Sequence, residues 1–158
     1  MDKKEFERLN AQREENGEPC FANPRNSAAG SVRQLDPRIT AGRKLDIYFY
    51  GIGRAEGVPF TTQIELLAVL KKYGLKTNPL IKACSGIHEA VRTCSELERL
   101  RNELPYEIDG AVIKVNSMLL QSSLGEISRN PRWAIAYKLK PQQAQTTVKD
   151  ILVQVGRT

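Results

Sequence analysis

The sequence contains little of what metal centres and disulfide frameworks need. Its 158 residues include one histidine, His88, and three cysteines, Cys20, Cys84 and Cys94. No two cysteines form a Cys-x-x-Cys pair and their number is odd, so neither a zinc site nor a disulfide framework is predicted. We expect three reduced, mostly buried thiols. We place His88 in the first turn of a helix, facing solvent, and assign it no chemistry.

Long apolar runs are also missing. No run approaches the roughly 18 residues of a membrane span, and Met1–Glu5 is not followed by the apolar segment of a signal peptide. We therefore expect a cytoplasmic protein with no membrane partner. The chain is long enough for one domain. Its 24 Lys and Arg against 18 Asp and Glu give a net charge of +6, which modestly favours acidic partners such as nucleotides or nucleic acid.

The spacing of apolar residues predicts an α+β fold with a largely antiparallel sheet and flanking helices. A charged surface helix follows Asp2 and ends near Gly17. A capping box, Thr62-x-x-Glu65, opens another helix, and a third begins at Ser85. The apolar positions expected to face the core are Leu66, Val69, Leu70 and Tyr73 in the second of these helices, and Ile87, Ala90, Val91, Cys94 and Leu97 in the third. Strands are predicted over residues 47–53, 106–115, 132–140 and 145–155, with a short turn or helix over 118–124.

A lysine interrupts the apolar strand that follows the Asp109–Gly110 corner. Burying an ammonium group without a partner costs several kcal/mol, so Lys114 either lies at a solvated edge or faces a cleft that holds an anion. We favour the cleft, although solvated strand lysines are the commoner case. Asp109 and Lys114 are five residues apart, so both could reach one ligand only if the backbone bulges or turns at Gly110.

The next predicted strand offers a second lysine on a face of small residues. Ala134, Ala136 and Lys138 alternate with Trp133, Ile135, Tyr137 and Leu139, and therefore share a face. A flat ligand could lie over the two alanines beneath Lys138.

Four segments of the chain resemble, in order and spacing, successive nucleotidyltransferase motifs of bacterial NAD-dependent DNA ligases. They are Phe21–Asp36 (FANPRNSAAGSVRQLD), Tyr48–Gly53 (YFYGIG), Glu107–Val115 (EIDGAVIKV) and Pro131–Lys138 (PRWAIAYK). The resemblance covers essentially the whole chain. It implies a partial adenylation domain of the ATP-grasp-like ligase type over residues 1–158. A surface helix over 1–17 leads into it, and a passage toward an absent OB-fold domain begins at 150–158.

The resemblance implies a known chemistry. Such ligases attack NAD with a lysine, release nicotinamide mononucleotide and hold AMP as a phosphoramidate. They transfer AMP to the 5′-phosphate of a nick in duplex DNA and seal it with the adjacent 3′-hydroxyl, using magnesium, in DNA replication and repair. By position, Tyr50 would stack on adenine, Lys114 and Lys138 would neutralise the α-phosphate, Asp109 would hold magnesium or orient the lysines, and Arg25, Arg33 and Arg101 would grip phosphates.

Ordinary structural roles remain open for several of these residues. Tyr50 could belong to the core, and Arg25 and Arg33 could be helix-surface charges paired with Asp36. Arg101 could pair with the neighbouring glutamates Glu98 and Glu103.

The sequence departs from the family at one motif. The family's nucleophile lies in Lys-x-Asp-Gly, and the corresponding letters here, Glu107–Gly110, begin with glutamate and align with a later motif. A covalent step needs its nucleophile. We therefore expect the C-terminal two-thirds of an adenylation domain that cannot self-adenylate, partnered by missing ligase domains or self-associating through an exposed sheet edge. The alternative is a non-enzymatic nucleotide- or DNA-binding module that kept the phosphate cleft.

Overall fold

The computed structural model describes residues 1–128, 130–141 and 145–153, and within them the chain forms six helices and four short strands. In chain order these are α1 (Lys3–Glu15), α2 (Pro24–Val32), α3 (Pro37–Ala41), α4 (Gln63–Lys72), α5 (Ile87–Leu100), β1 (Gly110–Lys114), α6 (Met118–Leu124), β2 (Glu126–Ile127), β3 (Asn130–Pro131) and β4 (Ala134–Lys138). Each of these helices is too short or too polar to cross a bilayer.

Side-chain caps fix where the helices begin. Asp2 accepts a hydrogen bond from the backbone N–H of Lys4 at the start of α1. Thr62 and Glu65 form the predicted capping box at α4, and Asn23 caps α2 with Pro24 in the first turn. Such caps depend on neighbouring residues alone, which is why the sequence predicted those of α1 and α4 correctly.

The strands form two antiparallel sheets of two strands each, antiparallel as predicted but much smaller than expected. Strand β1 pairs with β4 in a register that joins Gly110 to Lys138 and Lys114 to Ala134, and β2 pairs with β3. The β1–β4 pairing advances residue by residue on both strands, so Gly110 starts a regular strand and forms no bulge within it. Glycine is needed there for another reason. A Cβ at position 110 would overlap the carbonyl oxygen of Tyr137.

Two of the predicted strands are wrong. Residues 47–53 form no ladder, although the N–H of Phe49 donates to the carbonyl of Lys76 at 2.8 Å. Residues 145–153 contain neither strand nor helix, and the last positions of that prediction, 154–155, lie outside the described residues. β-Branched and aromatic residues favour a strand only where another strand offers its backbone groups.

The core lies under α4. Leu66, Leu67 and Leu70 are buried there. Partly buried apolar residues from three other parts of the chain surround them, namely Phe49, Phe60, Leu75 and Met118. The predicted stripe was wrong at Tyr73, whose side chain is 70% exposed, because the core-facing side of α4 rotates toward Leu67.

Outside α4 some of the residues predicted to be buried are buried and others are exposed. In α5, Ala90 and Cys94 are buried as predicted, whereas Ile87 and Val91 are exposed because the helix contacts the rest of the chain along a narrow strip. His88 faces solvent as expected. The three thiols are not mostly buried: Cys94 is, but Cys84 is partly exposed and Cys20 is exposed on the loop after α1.

A buried carboxylate holds α1 in place. Glu5 is 5% exposed and accepts hydrogen bonds from the Arg8 guanidinium, at 2.7 and 2.9 Å, and from the backbone N–H of Lys44 at 3.1 Å. The bonds from Arg8, followed by that from Lys44, lower the pKa of Glu5 from its usual 4.5 to about 2, against the opposing effect of burial. This carboxylate therefore joins α1 to the segment after α3.

We expect Glu5→Gln to lower the free energy of unfolding by about 1–2 kcal/mol at pH 7, because water around the half-exposed Arg8 screens part of the interaction. The folded pKa of Glu5 is lowered, so its contribution is complete above about pH 4.5 and disappears as the pH falls through about 2. Urea unfolding at pH 7 and pH 3 measures the change, with the exposed Glu7→Gln as control. A difference between Glu5→Gln and the wild type that does not shrink on acidification would contradict this assignment.

We expect Gly110→Ala to destabilise the fold by about 2 kcal/mol or more, because the added methyl meets backbone that cannot move aside. Gly30→Ala, within α2, is the control, since nothing lies within 4 Å of its Cβ position and alanine favours a helix. Thermal unfolding of both variants measures the difference. Equal melting temperatures would show that the close approach of β4 is not needed.

Candidate functional site

Lys114 ends β1 between two aromatic rings. Its ammonium nitrogen lies 4.8 Å from the centroid of the Tyr50 ring and 5.8 Å from that of Trp133, and it donates to the carbonyl oxygen of Tyr50 at 3.2 Å. Within the described residues no carboxylate lies at ion-pair distance from Lys114. Burial lowers the pKa of the Lys114 ammonium below its usual value. The site thus presents a partly desolvated cation without a counter-ion.

Two cavities meet at this lysine. One, of about 690 Å³, lies between α5 and β1 and is lined by apolar residues such as Leu80 and Leu97. The other, of about 550 Å³, lies under residues 47–53. Both are lined by Lys114, Tyr50, Gln63 and Trp133. Lys114 therefore lies where two concave surfaces meet.

Lys138 shares the face of Lys114 but lies at the opposite end of the strand pair. The register joins Lys138 to Gly110, four residues from Lys114, which is roughly 13 Å along a strand. Val112 and Ala136 lie between them on the same face and are exposed. The alternation predicted Ala134 and Ala136 on the face of Lys138, and in the register they pair with Lys114 and Val112. Lys138 lines neither cavity, so the structure brings the two lysines to one face but not into one enclosed pocket.

Asp109 lies at the Lys138 end. Its carbonyl accepts from the N–H of Leu139 at 3.0 Å, and its carboxylate lies 3.9 Å from the guanidinium of Arg25. Both charged groups are exposed, at 71% and 87%. Because the strand has no bulge, Asp109 is not brought to Lys114. Among the described residues no group of three or more His, Cys, Asp and Glu side chains could hold a metal ion.

The other two predicted arginines follow different helices. Arg33 follows the last turn of α2 and is exposed. Arg101 follows α5 and donates to the carbonyl of Lys140 at 2.9 Å, which connects α5 to the segment after β4. Asp36 pairs with Arg38 at 2.8 Å rather than with Arg25 or Arg33.

Sequence reasoning missed two residues of the site, Gln63 and Gln121. The Gln63 amide donates to the carbonyl of Tyr50 at 3.1 Å and accepts from Gln121 at 3.3 Å. Neither position stands out in the sequence, because a glutamine at a helix start or among serines is usually on the surface. Trp133 was placed on a strand face, but nothing in the alternation indicated its contact with Lys114.

The family model for the NAD-dependent DNA ligase adenylation domain matches residues 1–142. The chain belongs to that family. The resemblance carried by the four motifs is thereby confirmed.

Curated relatives agree with the family assignment. A DNA ligase of Geotalea daltonii is 58% identical over 153 residues, which are 97% of this chain and 23% of that protein. DNA ligases of Syntrophobacter fumaroxidans and of Thermoanaerobacter sp. are 56% and 50% identical over 158 residues, all of this chain and 23% and 24% of those proteins. The chain therefore spans about a quarter of the length of these ligases.

Proposed function

We propose that this chain binds the adenylate part of NAD in the cleft between Tyr50 and Lys114, as a portion of an NAD-dependent DNA ligase. The observation that carries the proposal is the partly desolvated Lys114 ammonium with no carboxylate partner among the described residues. A cation in such a place is stabilised by a bound anion, and a phosphate is the anion that this family handles. The 75% exposed ring of Tyr50 offers the adjoining surface on which adenine would stack.

The second lysine extends the same surface. We assign Lys138 to the α-phosphate together with Lys114, because both lie on the face of Val112 and Ala136 and because lysine carries its charge on a long flexible stem. Phosphoryl-type transfer places charge on non-bridging oxygens, which nearby cations stabilise. Arg25, Arg33 and Arg101 would hold further phosphates, and Asp109 would orient the cations or take part in holding magnesium.

The proposed activity belongs to the complete protein. It would join nicks in duplex DNA through an enzyme–AMP and a DNA–adenylate intermediate, with magnesium, in the cytoplasm, and with ligase domains beyond those represented here. The fold would be part of an ATP-grasp-like nucleotidyltransferase domain. The open edges of the β1–β4 pair would also allow two copies to associate.

One feature of the sequence favours a second candidate function. The chain contains no Lys-x-Asp-Gly, so it could act as a binding module without covalent chemistry. Both candidates require the phosphate cleft, and they differ in whether an adenylyl group is ever attached to the protein that contains this chain.

We expect Lys114→Met to weaken AMP binding about tenfold or more, because a charge-assisted contact to phosphate is lost. Lys138→Met should weaken binding less, since Lys138 is exposed and lines neither cavity. Isothermal titration with AMP measures both, with the exposed Lys72→Met at the end of α4 as control. Equal affinity of Lys114→Met and wild type, with both folded, would disprove the site.

We also expect the 158-residue chain to gain no adenylyl group when it is incubated with NAD and magnesium. The reason is the absent nucleophile: the lysines of the cleft would serve to bind phosphate rather than to attack it. Intact-protein mass spectrometry measures the outcome, with a complete DNA ligase of this family as positive control. A stoichiometric adduct on the chain would contradict the expectation and would identify another nucleophile.

A further inference from the structure

Two glutamine side chains are buried behind Tyr50 and Lys114. Gln63, the first residue of α4, is 9% exposed, and Gln121, in the middle of α6, is 8% exposed. Burying a primary amide is unfavourable unless its donors and acceptor find partners. The hydrogen-bond partners of these two amides therefore indicate which parts of the site the glutamines connect.

The two amides connect both halves of the site. Gln121 Nε2 donates to the carbonyl of Val115 at 2.7 Å, directly after Lys114, and to Gln63 Oε1 at 3.3 Å. Gln63 Nε2 donates in turn to the carbonyl of Tyr50 at 3.1 Å. The same carbonyl accepts from Lys114 Nζ at 3.2 Å. A closed series of hydrogen bonds thus runs from the end of β1 through α6 and α4 to residue 50 and back to β1.

This series matters because residue 50 belongs to no helix or strand. Residues 47–53 form no ladder, so sheet hydrogen bonds do not fix the backbone of Tyr50. Helix α4 itself is well fixed. The N–H of Gln63 donates to the carbonyl of Asn116 at 2.7 Å, and the Thr62–Glu65 capping box holds the start of the helix. Because the start of α4 is fixed in this way, the Gln63 amide can set the position of the Tyr50 carbonyl to which it donates.

We propose that Gln63 and Gln121 are positioning residues that hold the Tyr50 carbonyl and thereby set the distance between the Tyr50 ring and the Lys114 ammonium. This role deepens the proposed function and rests on it, because the ring and the ammonium are the two groups assigned to adenine and phosphate. Gln63 acts on the carbonyl directly, whereas Gln121 acts through Gln63 and through the end of β1.

The test uses the full 158-residue chain and its single tryptophan, Trp133, whose ring lies 5.8 Å from the Lys114 ammonium. The variants are Gln63→Met and Gln121→Met, which keep side-chain length and remove the amide. The matched control is Gln34→Met, because Gln34 is an exposed glutamine whose amide donates to the carbonyl of Gly30, away from the site. Circular dichroism confirms folding, and Gln63→Asn replaces Gln63→Met if the latter does not fold.

The first readout needs no nucleotide. If Gln63 holds the Tyr50 carbonyl, its loss frees the Lys114 ammonium to leave Trp133, and the tryptophan emission of Gln63→Met shifts toward that of Lys114→Met. The emission of Gln34→Met stays at the wild-type value. Wild-type emission in a folded Gln63→Met that merely melts earlier would overturn the positioning role.

The second readout is the affinity for AMP, measured by titration. We expect Gln63→Met to weaken binding about fivefold and Gln121→Met to weaken it less, and we expect Gln63→Met to have no further effect once Lys114 is methionine. Additive losses would show that Gln63 does not act through the site, which overturns the inference. If the wild-type chain does not respond to AMP, the proposed function fails, and the emission of Gln63→Met still decides the positioning role.

Discussion

The hydrogen bond from the Lys114 ammonium to the Tyr50 carbonyl is the contact on which the site depends. It joins the end of β1 to a segment that has no ladder of its own. A carbonyl oxygen can accept the donor but cannot neutralise the charge, and the two aromatic rings add only a modest attraction. The positive charge therefore remains available, in a place where water is partly excluded. A lysine in a salt bridge would have to release its carboxylate partner before it could bind another anion. Lys114 has no carboxylate partner among the described residues.

The other end of the β1–β4 pair has a different electrostatic character. Arg25 and Asp109 are separated by 3.9 Å and are largely exposed, so water screens their attraction and it contributes little to stability. Arg25 could move to another anion at small cost. The β1–β4 pair thus has a partly desolvated cation at one end and solvated, paired charges near the other.

The sequence predicted well whatever depends on neighbouring residues. The caps at Asp2 and at Thr62–Glu65, and the shared face of Ala134, Ala136 and Lys138, follow from local backbone geometry. It predicted poorly whatever depends on a distant partner. Residues 47–53 have the composition of a strand but find no strand beside them. Gly110 was predicted to allow a bulge or turn, whereas glycine is needed there because the backbone of Tyr137 lies so close. Tyr137 is 27 residues away in the chain, so local sequence could not indicate this contact.

The same distinction applies to the site. Lys114 could be found because a charge in an apolar strand is a local anomaly, whereas the two glutamines that hold its partner look ordinary in the sequence.

The β1–β4 pair adds a further constraint, since Val112 on one face and Ile135 on the other are 60% and 66% exposed. A two-stranded sheet with both faces open gains little from burial, and isolated pairs of this kind are marginally stable. Single polar contacts connect the pair to the end of α5 and to α6, namely Arg101 to Lys140 and Gln121 to Val115.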